Sequence, residues 1–196
     1  MKLENLPRFR LAEFPTPIHH LETLSKACNG PAIYMKRDDL TSLGMGGNKT
    51  RKLEFLIGEA LKQDKDTLVT AGGLQSNHCR LTAAAARKAG LSCHLVLNGG
   101  KPEKLNGNLL FDKIFGAKVH YCDRKDRDQR LHQVADELAV TGGKPYVIPV
   151  GGSNSTGSAG YVNAMLELDT QLKEMKITPD AIVFASSSGG TQAGLT

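Results

Sequence analysis

The chain has no Cys-x-x-Cys pair, and its four cysteines, Cys28, Cys79, Cys93 and Cys122, stand far apart. That spacing argues against both a disulfide framework and a zinc site, and predicts free thiols, most of them buried. Six histidines are present, His19 and His20 side by side, but none forms a His-x-x-x-His or His-Glu-x-x-His arrangement, so metal catalysis is not indicated. No apolar run approaches the roughly 20 residues that span a bilayer, and residues 1–7 lack the apolar stretch of a secretion signal. A cytoplasmic protein with no membrane partner is the expectation. The net charge of +5 is moderate and spread over many segments, which does not describe a nucleic-acid surface. Neither Gly-x-Gly-x-x-Gly nor the P-loop pattern occurs, so nucleotide binding is not indicated.

What is present is an ordinary globular composition, 40% hydrophobic and 23% charged over 196 residues, enough for one large domain or two small ones. An N-terminal segment with Pro7, Pro15 and Pro17 leads to a short strand at 33–36. Helix and strand then alternate. The apolar spacing of Leu53, Leu56, Ile57, Ala60 and Leu61 predicts an amphipathic helix beginning near Asn48, its N-cap. Strands follow at 67–70 (ending at Gly72-Gly73), 93–97, 118–122, 146–150 and 181–185. Helices fall at 77–89 with Gly90 as C-cap, 106–115, 126–141 and 155–175. Such alternation with short connections implies an α/β fold, a parallel sheet covered by helices, with ligands at the carboxyl ends of the strands.

Lys49, Arg51 and Lys52 occupy the first turn of the helix after Gly46-Gly47, where the helix dipole repels cations by a few tenths of a kcal/mol each. Two readings compete. Either these residues are a solvated basic face, with Arg51 or Lys52 near Glu54 or Glu59, or the turn presents Lys49 as an amine nucleophile whose proton affinity neighbouring charge and burial lower.

Three strand ends carry small polar loops. Gly72-Gly73-Leu74-Gln75-Ser76-Asn77-His78 puts Ser76 or Asn77 at an N-cap with free N–H groups behind it, either plain capping or a receptor for a carboxylate. Gly151-Gly152-Ser153-Asn154-Ser155-Thr156-Gly157 is similar and equally ambiguous. Ser186-Ser187-Ser188-Gly189-Gly190-Thr191 offers consecutive N–H groups and hydroxyls suited to phosphate, against the alternative of a serine-rich turn. A lysine nucleophile, a carboxylate receptor and a phosphate cradle together describe a site for pyridoxal 5'-phosphate acting on an amino acid.

The residues that carry this description also carry a resemblance. Pro15-Thr16-Pro17, Lys36-Arg37-Asp38-Asp39, Gly46-Gly47-Asn48-Lys49 with Arg51-Lys52-Leu53-Glu54-Phe55, Gln75-Ser76-Asn77-His78, Pro149-Val150-Gly151-Gly152-Ser153 with Gly160-Tyr161, and Ser188-Gly189-Gly190-Thr191-Gln192-Ala193-Gly194 follow in order over nearly the whole chain. In these the chain resembles the fold type II, tryptophan-synthase-β-like pyridoxal-phosphate enzymes, in the branch of 1-aminocyclopropane-1-carboxylate deaminase and D-cysteine desulfhydrase. The resemblance implies that Lys49 joins the cofactor covalently and later moves the Cα proton. It implies that Ser76 contacts the substrate carboxylate and is a candidate nucleophile, that Asn77 meets the cofactor's phenolic oxygen, and that Asn77 and His78 border the substrate. Ser187, Ser188, Gly189, Gly190 and Thr191 form the implied phosphate loop, and Lys52 an electrostatic neighbour. It further implies a small domain at 51–161 inserted in a larger one of 1–50 and 162–196, a homodimer, and a C-terminal remainder absent from what reads as a truncated product. The activity implied first is D-cysteine desulfhydration. Cyclopropane ring opening, L-cysteate sulfo-lyase activity and a catalytically silent fragment are the alternatives.

Overall fold

Aliphatic and β-branched residues alternate faces along the central strands, so each strand feeds two cores. The computed structural model describes residues 3–196, and Met1 and Lys2 lie outside the described residues. In chain order the elements are β1 (Ile18–His20), α1 (Glu22–Ala27), β2 (Tyr34–Lys36), α2 (Lys49–Lys62), β3 (Thr67–Gly73), α3 (Asn77–Ala89), β4 (Ser92–Asn98), α4 (Gly107–Ile114), β5 (Lys118–Cys122), α5 (Arg127–Val140), β6 (Pro145–Val147), α6 (Ser155–Met175) and α7 (Gln192–Leu195). β1 and β2 pair antiparallel, with His19 opposite Met35. The other four strands form a parallel sheet ordered β5-β4-β3-β6.

Register follows the pleat. Thr67 pairs with Ser92 and Gly73 with Asn98, while β6 joins the other edge of β3 from Thr67–Pro145 to Val69–Val147. Leu68, Leu95 and Leu97 point to one face and pack with Leu53, Leu56 and Ile57 of α2, Leu81 and the alanine run of α3, and Leu109 of α4. Val69, Ala71 and Val96 point to the other face and pack with Leu131, Val134 and Ala135 of α5. The two faces follow from handedness. The chain steps from β3 to β4 to β5 with α3 and α4 on one side. Because parallel crossovers are right-handed, reversing direction to reach β6 requires α5 on the opposite side. Strand order therefore switches between β3 and β6, and the crevice for a ligand opens at their carboxyl ends.

Two expectations need correction. β6 stops at Val147 rather than 150. Ile148 N still donates to Val69 O at 2.8 Å, but Pro149 has no N–H to extend the ladder and Gly151 turns at φ +70°. Residues 181–185 form no strand. A strand needs a partner for its N–H and C=O groups, these residues have none among the described ones, and Val183 stands 94% exposed. All four thiols are free. Cys79 and Cys93 are buried, Cys122 is partly covered, and Cys28 is exposed. No helix of the described residues is long and apolar enough to cross a membrane.

Candidate functional site

The site grows from the entry to α2. Gly46 sits at φ +74°, and a Cβ there would lie 2.0 Å from Asp39 O, so only glycine fits. Thr41 clamps the turn, its hydroxyl donating to Gly47 O at 2.9 Å and accepting from Gly47 N at 2.8 Å. Asn48 takes the N-cap position with helical dihedrals and makes no capping bond, contrary to expectation. Its side chain reaches the Tyr161 hydroxyl instead.

The basic residues of the first turn are not a solvated face. Arg51 is 2% and Lys52 1% exposed. Arg51 grips Asp38 with Nε at 2.8 Å and Nη2 at 2.7 Å, and Glu167 with Nη1 at 3.0 Å and Nη2 at 2.9 Å. Burial opposes its charge, but the hydrogen bonds to Glu167 and Asp38 outweigh it and raise its pKa. Glu54, the partner expected from sequence, instead holds Arg8 Nε at 2.6 Å and Leu11 N at 2.8 Å. Lys52 has no carboxylate partner among the described residues. Its Nζ donates to Gly151 O at 3.3 Å and Ser153 Oγ at 3.2 Å. Burial, and then the charge of Lys49, push its pKa down to about 8. Burial also lowers Lys49.

The loop after β6 and the serine-glycine loop meet over these amines. Ser153 Oγ and Ser188 Oγ lie 2.6 Å apart. A Cβ on Gly151 would stand 2.6 Å from Ser188 Oγ and 3.5 Å from Lys49 Nζ, and one on Gly190 would stand 2.5 Å from Ser153 Oγ and 2.7 Å from Lys52 Nζ. Glycine at both positions leaves open a small cradle with two amines and two hydroxyls on its wall. Ser188, Gly189 and Gly190 are thus brought to Lys49 and Lys52. Thr191 leads into α7, and Ser187 is exposed beside the cradle. The donor set fits a phosphoryl group: two amines without a counter-ion among the described residues, hydroxyls, and glycine backbone free to approach. An open cavity of ≈ 730 Å³ borders the outer side of the loop at Ser153, Ser188, Gly190, Leu6 and Val162. Lys49, Ser76 and Asn77 take no part in its walls.

The β3 end contributes the third side. Ser76 caps α3 by accepting from Cys79 N at 3.2 Å, which leaves the Asn77 and His78 N–H groups without intrahelical partners. His78 is 4% exposed, and its ring lies beneath the site, under Gly152. Thr70 donates its only hydroxyl proton to Ile148 O at 2.9 Å, so the 2.9 Å contact with His78 Nε2 requires that nitrogen to be the donor. Nδ1 is then a bare buried acceptor with no partner among the described residues. Burial first, then Lys49 and Lys52, push the ring's pKa down to about 3, so His78 is neutral. Arg80 Nη2 joins Gly46 O at 3.0 Å and Asn77 Oδ1 at 3.4 Å, tying the third side to the turn that carries Lys49.

Lys52 was expected only as an electrostatic neighbour, and its place on the cradle wall was not read from the sequence. Lys52 lies one helical turn after Lys49, and that i, i+3 spacing was the signal that could have placed both on one face. The Arg51 network ties Thr16 and Lys36 to Glu167, at separations of 151 and 131 positions, and no local pattern announces it.

Residues 9–196 match the family described as pyridoxal-phosphate dependent enzyme. A Pyrococcus horikoshii protein, named provisionally as a 1-aminocyclopropane-1-carboxylate deaminase, is 47% identical over 99% of this chain and 59% of its own length. A D-cysteine desulfhydrase of Salmonella typhimurium is 46% identical over 100% of this chain and 62% of its own. The crystal structure of an ACC deaminase homologue superposes with a TM-score of 0.91 at 45% identity, covering 98% of this chain and 58% of that one. The chain spans about 60% of the length of the relatives it matches.

Proposed function

Because the chain belongs to the pyridoxal-phosphate dependent enzyme family, we propose that the protein it represents is a lyase acting on a small amino acid, with D-cysteine as first substrate. The products would be hydrogen sulfide, pyruvate and ammonia. One observation carries the reading. Two amines, half-buried Lys49 and buried Lys52, face the same glycine-walled cradle without a carboxylate among the described residues to balance them, a cost that an anionic occupant would offset.

In this reading Lys52, Ser188, Gly189, Gly190 and Thr191 hold the phosphoryl group of pyridoxal 5'-phosphate, with Ser187 at the margin. The bound cofactor supplies an aldehyde for an amine and an electron-withdrawing ring that weakens the Cα–H bond. Lys49 Nζ is the attachment point. Its lowered pKa leaves a larger share of neutral amine at pH 7, able to take the Cα proton. The free N–H groups at the start of α3, with Ser76 beside them, orient the substrate carboxylate, so His78 contributes through its backbone rather than its buried ring. Asn77 donates to the cofactor's phenolic oxygen.

Deamination of 1-aminocyclopropane-1-carboxylate is the second reading, favoured by the name of the superposed structure. We extend the proposal to a small domain at 51–161, which contains all four strands of the parallel sheet, inserted in a larger one of 1–50 and 162–196, and to a cytoplasmic homodimer. The test is direct. Added pyridoxal 5'-phosphate should give a visible absorbance band that borohydride abolishes and that Lys49→Ala never forms. With D-cysteine the loaded protein should release sulfide and pyruvate, and release of 2-oxobutanoate from the cyclopropane amino acid would favour the second reading. Absence of the band in the native chain would defeat both.

A further inference from the structure

The carboxamide of Asn77 is held with a fixed polarity by groups outside the site. Gln75 O is a backbone carbonyl and only accepts, so the Asn108 atom 2.8 Å from it is the amide nitrogen Nδ2. That same nitrogen lies 2.9 Å from Asn77, and Arg80, which has donors only, approaches the same Asn77 atom. Two donors converge on one atom, so that atom is the oxygen Oδ1. The other branch of the planar group, Nδ2, is then an uncommitted donor, with no partner among the described residues.

The clamp extends further, and each link is anchored by a backbone group. Asn108 N donates to Gln75 Oε1 at 2.8 Å, so Gln75 Nε2 is free to donate to Asn106 O at 3.3 Å and Asn106 Oδ1 at 3.0 Å. Gly107 permits the approach, since a Cβ there would fall 2.4 Å from Gln75 Oε1. On the other side Arg80 Nη2 donates to Gly46 O, also acceptor-only.

We propose that Asn108 and Arg80 are positioning residues that lock the Asn77 carboxamide with Nδ2 turned to the site as an obligatory donor. This rests on the reading above, in which the acceptor is the phenolic oxygen of pyridoxal 5'-phosphate. A donor there stabilises negative charge on the oxygen and weakens its hold on the adjacent proton, so the bound cofactor's visible band titrates at lower pH.

Asn108→Asp is nearly isosteric but replaces the donor by an acceptor facing Gln75 O and Asn77 Oδ1, which favours turning the Asn77 carboxamide over. The titration midpoint of the band, measured on the loaded protein with Lys49 and Lys52 intact, should rise by about one pH unit. Asn77→Ala should raise it in the same direction, and the double variant should match Asn77→Ala alone. A midpoint unchanged in Asn108→Asp, or shifts that add in the double variant, would overturn the proposal. If the native protein forms no reducible band, the functional reading has failed, and the polarity is tested without cofactor. By ¹⁵N NMR the Asn77 Nδ2 protons should exchange as fast as exposed amides in the native chain and several-fold more slowly in Asn108→Asp. Equal rates would overturn it.

Discussion

Arg51 and Lys52 are neighbours on α2 and equally hidden from water, yet their surroundings are opposite. Arg51 faces Asp38, Glu167 and Thr16, which occupy Nε, Nη1 and Nη2. Lys52 faces a carbonyl, a hydroxyl and a second amine. One side of the helix is electrically closed and the other is open. Taking a charge out of water costs several kcal/mol unless a partner compensates. The closed side therefore contributes rigidity, fixing the helix entry through residues of the N-terminal segment and α6, while the open side keeps an unmet demand for negative charge beside Lys49. A buried cation without a counter-ion marks the place where a ligand completes the structure.

The comparison breaks most visibly on the closed side. Arg51→Met strands Asp38 and leaves Glu167 to Lys36 alone, and we expect a loss of about 3–5 kcal/mol in unfolding free energy, read from denaturant titration. On the open side the same replacement should act oppositely. Lys52→Met removes an unbalanced charge, so the cofactor-free chain should be no less stable, while affinity for pyridoxal 5'-phosphate, measured by calorimetry, should fall about 10- to 100-fold. Equal destabilisation by the two variants would erase the distinction. The smallest effect sharpens it. Lys52 is charged below its pKa of about 8 and neutral above it, so phosphate affinity should decline several-fold from pH 7.5 to 9.5 as that charge is lost. Lys52→Met should flatten this dependence.

Elements bounded by local chemistry were legible in the residues. α3 ends where Gly90 takes φ +73°, α6 starts after an Asn154 side chain that accepts from Gly157 N at 2.8 Å, and β5 spans 118–122 as its β-rich run suggests. Elements that depend on a distant partner were not. Residues 181–185 have strand composition but no strand beside them among those described, and β1 and α1 gave no periodic signal in a proline-punctuated segment. The site divides the same way. Lys49, Ser76 and the serine-glycine loop are readable as short motifs. The partners of Arg51, the burial of the His78 ring and the clamp between Gln75 and Asn108 arise only from tertiary packing.

The reversal of strand order bears on the sequence of folding events. β6 is three residues long and meets β3 at a sequence separation of 78, which the Thr70 to Ile148 hydrogen bond just past its end repeats. Contacts that span long stretches pay loop closure before they return energy and form slowly. The wall bearing Gly151 and Ser153 closes the long loop that runs through α3, β4, α4, β5 and α5, so it is expected among the last parts to take its place. A ligand that binds the finished cradle and not the open chain shifts that late equilibrium by mass action. The coenzyme would then act as the fastener of the last strand as well as the reagent.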